Sequence, residues 1–236
     1  DFGSVRDTYV SLADRVQAQT GIPYLLIDGR FPNTAAALRL AGDVLGVPER
    51  AGRLAAYAEA VFAEVDRVLA EVPADERPRV YLARGPDGLE TGLRGSINAE
   101  IIERVGGVNV ADAGPDRQGI VQVQLEQVLA WNPGTIVTWD QNFYRAVDGD
   151  PSWAGVEAVR TGRVHLSPGL PFGWIDRPPS LNRLIGLKWL AGVFYPDKVR
   201  QDIRAEAREF YATFYQVQLD DAALDRLLGP AAGQNP

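Results

Sequence analysis

The sequence has no cysteine, no methionine and one histidine, His165. Without cysteine there is no disulfide framework, no thiol nucleophile and no Cys-ligated metal. With one histidine there is no His-rich metal cage, and any Ser-His-Asp triad would have to use His165. That residue lies in the strand-like stretch Arg163-Val164-His165-Leu166, where a partly buried structural histidine is the simpler reading. A translated chain starts with Met, so its absence implies processing ahead of Asp1, and Asp1-Phe2-Gly3 does not look like a signal peptide. No apolar run reaches the roughly 18 residues that span a bilayer. The longest candidate, Leu181 to Tyr195, contains Asn182, Arg183 and Lys188, so no direct membrane insertion is expected. Basic residues never form a block longer than a pair and the net charge is −7, which argues against nucleic acid as a partner.

Several signatures are also missing. Gly85, Gly88, Gly92 and Gly95 do not follow the G-x-G-x-x-G spacing, and no Walker pattern, H-E-x-x-H or G-x-S-x-G occurs. A nucleotide site, a zincin and a nucleophile elbow are therefore unsupported. What remains is an ordinary soluble composition: 236 residues, 46% hydrophobic and 23% charged, enough for one large domain or two small ones with a full core.

The longest uninterrupted pattern is Glu49 to Val72. Leu54, Ala58, Val61, Phe62, Val65, Val68, Leu69 and Val72 recur at spacings of three and four, one stripe on an α-helix. At 1.5 Å per residue this is a rod of roughly 35 Å. Pro48 and Pro73 bound it. Ahead of it, Asp7 to Gln19 and Thr34 to Leu45 read as helices, and the apolar run from Ile22 to Asp28 reads as a buried parallel strand. After it, strands are expected at Arg79 to Ala83, Val108 to Ala111, Thr135 to Trp139 and Arg163 to Ser167. They alternate with helices that start at Ser96, Val123 and Trp153. This is the pattern of a doubly wound sheet. Leu181 to Tyr195 and Lys198 to Tyr215 are closing helices, and the chain after Leu228 looks frayed.

In such sheets ligands bind beyond the carboxyl ends of the strands. The residues that follow the predicted strands are Arg84 and Arg94, then Trp139, Asp140 and Tyr144, then Phe172, Trp174 and Arg177. Aromatic walls with a few arginines suit a bulky, partly apolar ligand bearing carboxylate, phosphate or catecholate oxygens.

The order of these motifs resembles the substrate-binding proteins of bacterial ABC importers for iron–siderophore complexes, haem and cobalamin, the class III periplasmic binding proteins. The likeness is carried by Thr20-Gly21-Ile22-Pro23, the helix Glu49 to Val72, Gly95-Ser96-Ile97-Asn98, Gly106-Gly107-Val108-Asn109-Val110-Ala111, Gln124 to Pro133 and Val159 to Val164. It implies an α/β fold in which a doubly wound mixed-sheet lobe is joined through one long backbone helix to a second, truncated α/β lobe. Residues 1–48 would be a remnant of the N-terminal lobe, with Gly3 to Tyr9 part of it. Residues 49–72 would be the inter-lobe helix, and 73–236 the C-terminal lobe.

The resemblance further implies a non-enzymatic, periplasmic or otherwise extracytoplasmic protein without a cofactor of its own. Its partners would be a small-molecule metal complex, an iron chelate foremost, and an ABC importer permease. Glu126 stands where the family places a permease-docking glutamate. Haem, cobalamin and a molybdate or tungstate oxyanion are alternative ligands. A small α/β enzyme using Asp140, Asp176 or His165 is the reading from another class. If the N-terminal lobe is incomplete, part of the apolar stripe of 49–72 should be exposed or covered by another chain.

Overall fold

The computed structural model describes residues 7–114 and 119–229. Residues 3–6 of the expected lobe remnant and the tail 230–236 lie outside the described residues. The chain opens with helices α1 (Asp7–Thr20), α2 (Thr34–Val44) and α3 (Pro48–Ala70). Proline at the start of α3 suits a position whose N–H has no helical acceptor, and its φ is already helical. Strands β1 (Arg79–Ala83), β2 (Glu90–Gly92), β3 (Val108–Asn109), β4 (Ile120–Gln122), β5 (Thr135–Thr138) and β6 (Val164–Leu166) then alternate with helices. These are α4 (Glu100–Arg104), α5 (Leu125–Trp131), α6 (Gln141–Ala146) and α7 (Glu157–Arg160). Helices α8 (Arg183–Phe194), α9 (Ile203–Tyr215) and α10 (Asp221–Leu228) end the chain. None of the helices is long and apolar enough to cross a membrane, among the described residues.

The main sheet is parallel, in the order β3-β1-β5-β6. The chain runs outward from β1 to β3, then returns to the other side of β1 for β5 and β6. The order therefore reverses between β1 and β5, where a doubly wound sheet opens a crevice. All four residues of β5 are buried between its neighbours. A separate antiparallel pair, β2 with β4, registers Thr91 against Val121. The sequence suggested only a Gly-rich loop there. Gly88 is held at a φ of +69°, and a Cβ on it would run into the Phe143 ring.

One face of the sheet packs under α3 and α8. Val61, Val65 and Val72 meet Val80 and Leu82 of β1, Ile101 and Ile102 of α4, and Leu187, Leu190 and Phe194 of α8. Ion pairs fasten the same layer. Lys188 lies 2.7 Å from Glu64 and 2.8 Å from Glu206, joining α8 to α3 and α9, and Arg104 pairs with Asp66 at 2.7 Å. Burial, the largest influence on the Lys188 ammonium, favours its neutral form, but the two carboxylates outweigh it and raise its pKa.

Several elements depart from the sequence reading. Ile22 to Asp28 is not a strand. Among the described residues no strand lies beside it, and a parallel strand exists only through its neighbours' hydrogen bonds. The Ile22 N–H donates instead to Thr20 Oγ1 at 3.2 Å and the Tyr24 N–H to Gln17 Oε1 at 3.0 Å. The stripe of α3 is not exposed either: Ala58, Val61, Val65 and Val72 are buried, and Leu54, Phe62, Val68 and Leu69 half-buried. The exposed apolar side chains sit nearby, at Ile22, Tyr24, Leu25, Ile27, Val44, Leu45 and Val47.

Helix α4 begins at Glu100 rather than Ser96. Helix α7 covers only Glu157–Arg160 because Gly155 precedes it and Asn132 Oδ1 accepts the Glu157 N–H at 2.8 Å. Helix α9 starts at Ile203, where the Asp202 carboxylate accepts from the N–H groups of Arg204 and Ala205. Helix α10 was not expected. It is capped by Asp220, which accepts the Ala223 N–H at 2.7 Å, and buries Leu224, Leu227 and Leu228.

Candidate functional site

Beyond the carboxyl ends of β5 and β6 lies a cavity of about 680 Å³. One wall is Trp139 and Asp140, which follow β5. A second is Ser167 to Pro171 with Arg177, which follow β6. The third is the last turn of α10, Arg226 to Gly229. The sheet thus places two loops side by side at its crevice, and the final helix closes the opposite side.

Of the residues singled out in the sequence, Trp139, Asp140 and Arg177 meet at this cavity. Trp139 is half-buried and Arg177 exposed. The Arg177 guanidinium lies 4.4 Å from the centre of the Trp139 ring, and Arg84 approaches the same ring at 5.8 Å, both within cation–π range. Arg177 and Arg226 take part in no ion pair among the described residues. Asp140 is already engaged: its Oδ1 accepts from the N–H of Asn142 at 2.9 Å and of Phe143 at 3.2 Å, capping α6. The cavity therefore offers two uncommitted guanidinium groups, an indole face and one carboxylate occupied as a cap. That arrangement favours anionic oxygens next to an apolar or aromatic surface.

The other predicted residues do not join them. Trp174 is fully buried in the core formed by α8, α9 and α10, and its Nε1 donates to the Tyr211 hydroxyl at 3.1 Å. It anchors a loop and is no cleft wall, because its large apolar ring gains more in that core than at a wet surface. Arg84 is buried and neutralised by two carboxylates, with Nη1 2.7 Å from Glu90 Oε1 and Nε 2.8 Å from Asp176 Oδ2. These contacts are short but misaligned for hydrogen bonds, so charge holds them. Arg94 is on the surface, bound to Asp112 at 2.7 Å and to the Asn109 carbonyl at 3.1 Å. Phe172 is exposed away from the cavity lining, and Tyr144 is half-buried on α6.

Glu126 is exposed in the first turn of α5, where a carboxylate meets the positive end of the helix dipole. The sequence reading missed Arg226, since α10 was not recognised. The signal was Asp220 three residues ahead of Ala223, followed by the apolar set Leu224, Leu227 and Leu228.

The three groups proposed for an enzyme do not assemble. Asp140 caps a helix, Asp176 is buried against Arg84 and Asn98, and His165 is in the sheet. Burial, helped by the nearby Arg163 charge, lowers the His165 pKa to about 4, so this imidazole is neutral near pH 7.

No family model matches the chain. It is similar to an ABC transporter solute binding protein from Sulfurospirillum deleyianum, at 31% identity and a TM-score of 0.84, over 91% of this chain and 67% of that one. It is 34% identical to the molybdate-binding protein MolA of Haemophilus influenzae over 66% of this chain and 44% of MolA. The structure of MolA bound to molybdate superposes with a TM-score of 0.74 at 26% identity, over 89% of this chain and 70% of that one. An uncharacterised ABC transporter substrate-binding lipoprotein of Bacillus subtilis, YvrC, is 26% identical over 72% of this chain and 52% of its own length. The chain spans about half the length of the curated relatives it matches.

Proposed function

The chain belongs to the solute-binding proteins of ABC transporters, and from that premise we propose that it captures an anionic metal complex outside the cytoplasm and presents it to an importer permease. The observation that carries this reading is the cavity at the sheet's crevice, where Trp139, Arg177 and Arg226 supply an indole face and two guanidinium groups. A volume of about 680 Å³ is in the range of sites for ligands of drug-like size. It suits a bulky iron chelate, such as a ferric catecholate siderophore, better than a single oxyanion. Haem and cobalamin are ligands of the same bulk class. Glu126, exposed on α5, is the residue we assign to permease docking.

A second reading is a molybdate or tungstate binder, favoured by the likeness to MolA. Both readings use the same guanidinium groups and differ in whether the indole face is needed.

The experiment is a titration of the intact protein with ferric tris-catecholate, molybdate and tungstate, followed by calorimetry and tryptophan fluorescence. Saturable 1:1 binding of the chelate, weakened about tenfold by Arg177→Gln, supports the first reading. Binding of the oxyanions alone moves the assignment to the second. If neither class binds, the anionic-solute reading fails. Glu126→Ala is expected to leave binding intact and to lower transporter-dependent uptake.

A further inference from the structure

The loop that carries Arg177 turns three successive residues, Trp174, Ile175 and Asp176, into the protein before Arg177 emerges. The Gly173 N–H donates to the Arg177 carbonyl at 3.3 Å, closing a turn so tight that a Cβ on Gly173 would run into the Asp176 carbonyl. Trp174 and Asp176 point into the protein and are fully buried. Asp176 Oδ1 accepts from Asn98 Nδ2 at 3.0 Å, and Oδ2 lies 2.8 Å from Arg84 Nε. Arg177 comes next, with a φ of +71°. Few residues with a Cβ occupy that region, and they persist there only where the surroundings hold them. The Arg177 guanidinium lies 4.4 Å from the centre of the Trp139 ring.

We infer that Asp176 is a positioning residue: by gripping Arg84 and Asn98 it fixes the turn 173–177 so that Arg177 lies on Trp139 as a preformed guanidinium–indole platform facing the cavity. As an account of solute recognition this rests on the anionic-solute reading above; as an account of how the platform is held it does not.

The two roles a buried aspartate could play here have opposite signs. By charge alone, Asp176 repels an anion, and Asp176→Asn would draw anions closer to Trp139. As a positioning residue, its loss releases Arg177 from the ring, and anions approach Trp139 less. Asparagine keeps the Oδ1 acceptor for Asn98 and leaves Arg84 paired with Glu90, so the fold has a route to survive.

The test is quenching of Trp139 in the intact chain by iodide, an anion, and by acrylamide, which is neutral. The Trp139 contribution is the difference between each protein and its Trp139→Phe counterpart. In Asp176→Asn the acrylamide quenching rises and the ratio of iodide to acrylamide quenching falls about two- to threefold, as it does in Arg177→Gln. A ratio that rises, or one that stays unchanged in a cooperatively folded variant, overturns the inference. If Asp176→Asn does not fold, Asn98→Ala removes one grip while keeping the ion pair. It must then lower the ratio to a smaller extent, and no change overturns the inference. No solute enters these measurements. A falling ratio in a protein that binds neither ferric tris-catecholate nor molybdate would therefore sink the solute reading and leave the positioning role standing.

Discussion

Two short apolar runs in this chain met opposite fates. Thr135–Thr138 became β5, buried at every residue between β1 and β6. Ile22 to Asp28 is richer in apolar residues, yet it pairs with no strand among the described residues, and Ile22, Tyr24, Leu25 and Ile27 are exposed. A run of apolar residues states only what a segment could do. Whether it is a strand depends on flanking strands that accept and donate its backbone hydrogen bonds. Around β5 two parallel neighbours, β1 and β6, fold together; around residues 22–28 the surrounding elements are helices.

Truncating one side chain in each run separates them most directly. Ile136→Ala is expected to destabilise the protein by about 2–5 kcal/mol, while Ile22→Ala stays within about 0.5 kcal/mol, both measured by urea unfolding. Equal losses would show that the two runs are energetically alike. A smaller effect concerns the link between the two parts of the chain. Lys188 ties α3 to α8 and α9 through Glu64 and Glu206, and Lys188→Met leaves two carboxylates facing each other with no cation. A loss of about 2–3 kcal/mol is expected, with a single transition seen by both far-UV dichroism and fluorescence. Two separate transitions would show that α3 is not energetically part of the sheet lobe.

A third test uses the histidine beside β5. The folded pKa of His165 is about 4, below the ordinary 6.5, so between these values the unfolded chain binds the proton more readily. Stability contributed by the neutral imidazole is present above about pH 6.5 and lost as pH falls towards 4, on the order of 1–3 kcal/mol. In His165→Gln that slope should flatten across the same window; a slope equal to that of the parent would remove His165 as its cause. The smallest effect is local. Asp202→Ala removes the N-cap of α9 and should cost about 1 kcal/mol, read as a lower unfolding midpoint with an unchanged denaturant dependence.

The fold was legible where a pattern ran long or where a turn had a chemical marker. The stripe from Leu54 to Val72 identified α3 within a residue or two of its ends. Gly106, held at a φ of +79°, marked the end of α4. The alternation after α3 yielded β1, β3, β5 and β6, and their parallel order agrees with the family that the motifs resembled. Short elements were less legible. The β2–β4 pair joins three-residue strands far apart in sequence, and no local pattern announces such a pairing. Helix α10 was missed although its cap and apolar spacing were present, because its eight residues make barely two turns.

In the candidate site, three of the eight singled-out ligand residues, Trp139, Asp140 and Arg177, line the cavity. The rule that ligands bind beyond strand ends located the loops. It did not say which side chains turn inward. Trp174 and Arg177 lie three residues apart on one loop, and one is sealed in the core while the other is exposed.

The long helix, the α/β alternation and the loops that meet at one edge follow from local sequence, because periodicity, capping and turn chemistry act over a few neighbouring residues. It takes the packed molecule to see that residues 22–28 are not a strand, that Arg84 is neutralised by Glu90 and Asp176, and that Arg177 lies against Trp139. Each of those outcomes depends on partners distant in the chain, and hydrogen-bond pairing, ion pairing and burial are properties of the partners a residue meets.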